Sequence, residues 1–255
     1  MPKALQTLRS VALSWSGIAA LLLAWWLTTR LGLFPPQVLA PPERVILAFV
    51  AGVRSGDLAR NLGASLGILA AGYVIGATLG VAFGVAMALS KTIESYTSGL
   101  FHAIRQVPTI AFIPMLVLVF GIESTFKIVV VGKASFYPAA LAAYTAVQGL
   151  PKRYFDVADV YRLSPLSRLR SVILPASLPP VLTGLRLSLS RAWVALVAAE
   201  LLVADRGIGQ MMELGRQTFR LDVVLLGVVL IGAIGFLLDR GFKQVERLLV
   251  RGAPA

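Results

Sequence analysis

Cysteine is absent from the 255 residues and histidine occurs once, at position 102. The chain therefore has no disulfide and no thiolate nucleophile, and it lacks the His and Cys clusters that a metalloenzyme or a Ser/His hydrolase requires. Charge is scarce too. Only 14% of the residues are charged, against about 25% in soluble domains, while 57% are hydrophobic and the mean hydropathy is +0.81. That composition excludes a soluble globule and makes a bilayer the solvent. Acidic residues are rarest: 12 Asp and Glu stand against 24 Lys and Arg, a net charge of +12. Nucleic-acid binders gather such an excess on a wetted face, whereas here the cations punctuate apolar runs, which argues against a nucleic-acid partner. No G-x-x-x-x-G-K-[ST] stretch occurs, so the chain does not cradle ATP by that route.

Six apolar runs, at about 10–29, 61–90, 102–122, 126–150, 179–204 and 222–240, approach or exceed the roughly 20 helical residues that cross a bilayer. They predict an all-α polytopic membrane protein, with residues 1–255 as one transmembrane domain. The first run is longer than the apolar core of a signal peptide and reads as a retained helix. Six spans put both termini on one side. With the termini inside, fourteen cations fall on inner segments and eight on outer ones, which leaves Lys133 and Arg191 within helices and sets the termini in the cytoplasm. On this topology every aspartate lies in a loop or at a helix end, so the paired carboxylates of an intramembrane aspartyl protease are missing and an enzyme is disfavoured. His102, beside Arg105, reads as a polar residue at the interface.

After the first run, Pro35-Pro36 and Pro41-Pro42 interrupt the chain. Pro42 and Glu43 suit the first turn of a helix, predicting a short one over 42–54 outside the membrane. In the second run Gly72, Gly76, Gly80 and Gly84 recur every fourth residue, a stripe that lets a neighbouring backbone approach closely and reads as helix packing. The third run opens on Gln106-Val107-Pro108-Thr109, and Pro114 is expected to interrupt it.

The longest inner segment, 151–178, reads PKRYFDVADVYRLSPLSRLRSVILPASL. Phe155 to Leu163 predicts one short helix. Ser164 and Pro165 predict the N-cap and first position of a second, with Leu166, Leu169, Val172 and Ile173 on one face, ending at Pro175. Such a pair serves equally as a structural elbow or as a docking surface for a cytoplasmic partner.

Asp156, Val157, Ala158, Arg162, Leu174 and Pro175 follow the order of the EAA loop (Glu-Ala-Ala, three residues, Gly, then a later Leu-Pro), with Asp for Glu, Val for the first Ala and Arg for Gly. Together with PPQVLAPPERVILAFV, RQVPTIAFIPMLVLVFGI, ILPASLPPVLTGLRLSL and VAAELLVADRGIGQMM, the segment resembles the binding-protein-dependent ABC importer permeases of the taurine, aliphatic-sulfonate and nitrate group. The resemblance implies a transport subunit of the bacterial inner membrane. It implies a second permease copy, two cytoplasmic ATPase subunits that hold ATP and Mg, and an external solute-binding protein. It also implies that Asp156, Ala158 and Arg162, with the face of Leu166, Leu169 and Val172, couple to the ATPase. An Arg at 162 must take a left-handed backbone with strain or make a different turn.

Candidates for the pathway come from the residues themselves. Gln106, Pro108 and Thr109 line a gate or form a plain kinked packing helix. Lys133 and Arg191 fall at membrane depth, where a cation facing lipid costs roughly 2.5–3.5 kcal/mol. They either attract an anion, with Tyr137 on the face of Lys133, or pair with Glu200 from another helix. An ATP-independent channel or secondary transporter for small anions is the alternative function. No cofactor or metal is expected on this chain.

Overall fold

The computed structural model describes residues 3–35, 38–203 and 205–251, with side chains placed at 16, 17, 19–35, 38–203 and 205–250. Pro36 and Ala204, a loop proline and the expected end of the fifth span, lie outside the described residues. Helices account for nearly all of it: α1 (Lys3–Arg30), α2 (Pro42–Ser55), α3 (Asp57–Leu89), α4 (Lys91–Gln106), α5 (Ile113–Phe120), α6 (Ser124–Gln148), α7 (Lys152–Val160), α8 (Pro165–Arg168), α9 (Leu174–Leu202), α10 (Ile208–Gln217) and α11 (Leu221–Arg251). Among the described residues four stretches are long and apolar enough to span a bilayer: Asp57–Leu89, Ser124–Gln148, Pro165–Leu202 and Leu221–Val250. A fifth crossing is available if α4 and the segment Thr109–Phe120, bent by 89° to each other, count as one.

The chain forms two compact units. One comprises Met1–Arg60 with Met211–Leu230. In it Val45 and Ala48 of α2 are buried with Leu226 of α11 and packed by Trp25 of α1. The proline start of α2 is as expected, and Gly56, at φ 75°, ends the helix by donating its N–H to the Val53 carbonyl.

The other unit comprises Asn61–Gln210 with Ile231–Ala255. At its centre α6 lies between α3 and α9. The four-residue glycine stripe of α3 faces α6 so closely that a Cβ at Gly76 would come within 2.3 Å of the Gly132 carbonyl oxygen, and one at Gly84 within 2.0 Å of that of Ala140. Gly72 meets Val131 and Gly80 meets the Phe136 carbonyl in the same manner. On its other side α6 meets α9, where Ser188 Oγ donates to the Ser135 carbonyl at 2.8 Å and Gly184 abuts Ala142.

Two expectations need correction. The third run, 102–122, is not one helix interrupted at Pro114. α4 stops at Gln106, because Pro108 forces Val107 into an extended backbone (φ −74°, ψ 117°) and brings no N–H of its own. After a 3₁₀ turn at Thr109–Phe112, Pro114 sits in the first turn of α5, where a missing donor costs nothing. Nor does the second surface helix end at Pro175. It continues through a π turn, Leu169–Ile173, in which the Leu174 N–H donates to the Leu169 carbonyl, and Pro175 falls in the first turn of α9. The rearranged ladder at the π turn leaves the proline no lost bond to replace.

Candidate functional site

The bend between α4 and α5 brings together residues far apart in sequence. Lys133 on α6 donates from Nζ to the Val107 carbonyl at 3.3 Å, satisfying an acceptor freed where α4 breaks. The same ammonium lies over the rings of Phe112, 4.3 Å from the centroid, and Tyr137, at 5.4 Å. Tyr137 is fixed from behind by Phe101 at 5.3 Å and Phe136 at 5.1 Å, with Phe83 closing the group at 5.8 and 5.6 Å. Gln106 and Pro108 are exposed at this corner and Thr109 is half-buried. His102 packs edge-on against Phe101.

Arg191 is placed differently. It is exposed on α9, on a stripe with Thr183, Leu187, Ser190 and Val194, and it pairs with none of the described residues. It lies about 16 Å from the Leu202 end of the helix at 1.5 Å per residue. Neighbouring cations of this unit are all engaged: Lys127 with Asp205 at 3.1 Å, Lys133 at the corner, and Arg186 with Asp239 at 2.8 Å and Glu246 at 3.6 Å.

Glu200 pairs with neither Lys133 nor Arg191, contrary to that alternative. Its carboxylate is buried, accepting from Ser65 Oγ at 2.7 Å and from the Gly209 N–H at 3.0 Å. Ser65 in turn accepts from the Ile208 N–H at 3.0 Å, and Asn61 Oδ1 takes the Gly207 N–H at 3.0 Å. Glu200 thus caps the start of α10, where free N–H groups and the helix dipole favour a negative charge. The close fit demands glycine: at Gly207, φ 132°, a Cβ would meet the carboxylate within 2.3–2.6 Å, and at Gly209 it would meet Glu200 Cβ at 2.6 Å. Lys127, wholly buried, closes the cluster through Asp205. Burial pushes the Asp205 carboxyl up, but hydrogen bonding and charge from Lys127, with backbone N–H groups, hold it below the usual range. The sequence offered a hint in Glu200 followed by the Gly-Ile-Gly turn at 207–209, but nothing in it pointed to Ser65.

In the loop of α7 and α8, Ser164 caps as expected, accepting the Ser167 N–H at 3.3 Å, with Pro165 in the first turn. Arg162 takes the left-handed backbone at φ 49°, and the turn closes with Leu163 N–H on the Ala158 carbonyl at 3.0 Å. Arg168 bridges back to Asp159 at 2.9 Å and lies over Phe155 at 5.1 Å. Asp156 is exposed, whereas Ala158 is buried within the chain. Leu169 packs on a core of Val85, Ala143, Ala146, Val147, Ile173 and Val181, while Leu166 is exposed and Val172 half-buried. At the outward face and end of α7 the motif residue Val157 is exposed together with Val160 and Tyr161, two apolar side chains that the motif does not include.

A separate cavity of about 740 Å³ lies between α3, α9, α11 and the π turn. Its walls, among them Val81, Val85, Leu169, Leu185 and Phe242, are almost wholly apolar, and none of the cations described above reaches it. Among the described residues no group of His, Asp and Glu is placed to hold a metal ion.

Comparison with known proteins places this geometry. Residues 76–251 match the family described as binding-protein-dependent transport system inner membrane component. The taurine transport system permease protein TauC of Escherichia coli strain K12 is 36% identical over 246 residues, covering 94% of this chain and 90% of that one. A putative aliphatic sulfonates transport permease protein, SsuC of Bacillus subtilis strain 168, is 32% identical over 233 residues, covering 91% and 84%. Among solved structures, an inward-facing conformation of the MetNI methionine ABC transporter superposes with a TM-score of 0.63 at 20% identity, over 77% of this chain and 97% of that one. At that identity the likeness is one of fold.

Proposed function

The chain belongs to the family of binding-protein-dependent transport system inner membrane components, and we propose that the solute it passes is a small organic anion of the sulfonate or organic-acid type, met in the pathway by Arg191 and Lys133. As an ABC importer permease it is a transport subunit and not an enzyme, which removes the ATP-independent channel from consideration. Its work is to offer alternating access across the inner membrane while ATP is hydrolysed elsewhere.

One observation carries the anion reading: Arg191 is exposed at mid-span without a partner among the described residues. Facing lipid, that guanidinium would cost roughly 2.5–3.5 kcal/mol. A wet pathway that admits anions removes the cost and gives the charge a use. Lys133 supports the reading from the corner at Val107, where Phe112 and Tyr137 hold its ammonium at a fixed point. Gln106, Pro108 and Thr109 at the same corner form the gate. The taurine and sulfonate relatives carry the same head-group chemistry in their names.

The rest of the assembly follows the same reading. Two copies of the chain form the pathway, both termini are cytoplasmic, and six spans, with α1 and the bent pair of α4 and Thr109–Phe120 counted among them, make one transmembrane domain. Two ATPase subunits holding ATP and Mg dock at the loop of α7 and α8, through Asp156, Arg162, Leu166 and the Val157, Val160 and Tyr161 face. Ala158, Leu169 and Val172 shape that surface from beneath.

Uptake of labelled taurine, methanesulfonate and benzoate into vesicles containing the chain with its ATPase, supplied with the solute-binding protein, tests the solute. Arg191→Met is expected to abolish anion uptake with assembly intact, and Arg191→Lys to restore part of it. Full uptake by Arg191→Met would sink the anion assignment.

A further inference from the structure

We infer that α2 is an in-plane membrane helix whose Phe49, Val53, Ile46 and Val50 arc is immersed among lipid acyl chains. At 100° per residue α2 divides into three faces. Val45 and Ala48 are buried on one, with Gly52 half-buried beside them. Next to it comes an arc of Phe49, Val53, Ile46 and Val50, all exposed, Ile46 at 62% and Val53 at 54%. The third arc holds Glu43, Arg54, Arg44 and Ser55, also exposed, with Leu47 as its one large apolar side chain. A helix outside the membrane has no reason to offer four large apolar side chains together to water.

What covers that arc is indicated by how α2 is tied down. Trp25 Nε1 donates to the Ala40 carbonyl at 3.1 Å, two residues before α2 begins. Arg30 pairs with Glu43 in its first turn at 3.2 Å and lies over the Trp26 ring at 5.5 Å. Two indoles and an arginine at the end of a span mark the headgroup level, where amphipathic rings settle. The start of α2 is therefore held at the boundary between headgroups and acyl chains. α1 presents Leu21, Leu22 and Leu23, exposed, on the membrane side of those indoles, and the apolar arc of α2 continues that lipid-facing surface. Arg44 and Arg54, on the polar arc, are then at the depth of lipid phosphates.

Because the chain has no cysteine, each introduced cysteine is its only thiol. Full-length single-cysteine variants through 43–54, carrying a nitroxide and reconstituted in phosphatidylethanolamine and phosphatidylglycerol vesicles, report collision rates with oxygen and with a water-soluble nickel chelate. Ile46→Cys, Val50→Cys and Val53→Cys should show oxygen access several-fold above nickel access. Arg44→Cys, Ala51→Cys and Arg54→Cys should show the reverse, so that the ratio repeats every 3.6 residues. High nickel access at all six would mean that α2 stands in water and would overturn the inference. Low access to both probes at 46, 50 and 53 would mean that a protein, a second copy or the binding protein, covers the arc, and would overturn it equally.

Discussion

Adding one methyl group at different glycines of the single helix α3 should have opposite effects on stability. At Gly84 a Cβ would fall 2.0 Å from the Ala140 carbonyl oxygen, and at Gly76 2.3 Å from that of Gly132. Ordinary contact begins near 3.4 Å, and the obstructing atoms are backbone, so α3 and α6 must part locally by more than about 1 Å. Overpacking of this kind costs about 1–3 kcal/mol, and the wider gap loses the contacts of the small-residue interface besides. Against that stands the helix propensity of alanine over glycine, about 0.8–1 kcal/mol. Gly84→Ala and Gly76→Ala should therefore be destabilising on balance. At Gly67, where a Cβ meets nothing within 4 Å, only the propensity gain remains, and Gly67→Ala should stabilise. Heating the detergent-solubilised chain and following its four tryptophans by fluorescence compares the three. If Gly84→Ala and Gly76→Ala melted with or above Gly67→Ala, the close approach of α3 to α6 would be wrong.

Arg162→Gly should raise stability by about 1 kcal/mol, since it removes the cost of a left-handed arginine at φ 49°; denaturant unfolding reads the gain, and a loss would show that the turn is made otherwise. Glu200→Ala strands the Ser65 hydroxyl and the Gly209 N–H and should cost about 1–3 kcal/mol, with faster hydrogen exchange confined first to 205–212; unchanged exchange there would refute the capping role. Asp205 is held below its usual range by Lys127, so its contribution is present above the unfolded carboxyl pKa of about 3.9 and lost as pH falls through the lower folded value. Stability measured from pH 6 down to pH 3 should drop less in Asp205→Asn than in the parent chain, and equal losses would detach Asp205 from the acid response.

The spans of α3, α6, α9 and α11 were legible because long charge-free runs admit one reading in a bilayer. Where they broke was not. Pro108 and Pro114 look alike in a string of letters, yet proline disrupts only the helix that precedes it. Whether a given proline follows a helix or begins one depends on the turn between them, which Thr109–Phe112 makes as a short 3₁₀ segment. Pro175 was misread as a stop for the same reason, since a π turn ahead of it leaves nothing to lose. The cations were visible, but their partners were not. Lys133 found a carbonyl 26 residues away and Glu200 a hydroxyl 135 away, and such pairings are decided by how helices pack. Lys127 beside its aspartate belongs to the same class. The caps at Pro42 and Ser164, by contrast, are local chemistry and could be read directly.

The segment from Pro165 to Leu202 runs 38 residues without a break, so α8, the π turn and α9 make one rod about 57 Å long. One end stands in the surface loop beside Arg162, and the other carries Glu200 with the Gly209 amide fastened to it. A rod held near its middle by α6 behaves as a crank. Tilting it by about 5° about its middle carries each end through about 2.5 Å, and the first turn of α10 travels with it. A push on the surface loop thus reaches the opposite end of the helix less whatever is spent on the way, at the π turn of Leu169–Ile173 or at the interior prolines Pro179 and Pro180.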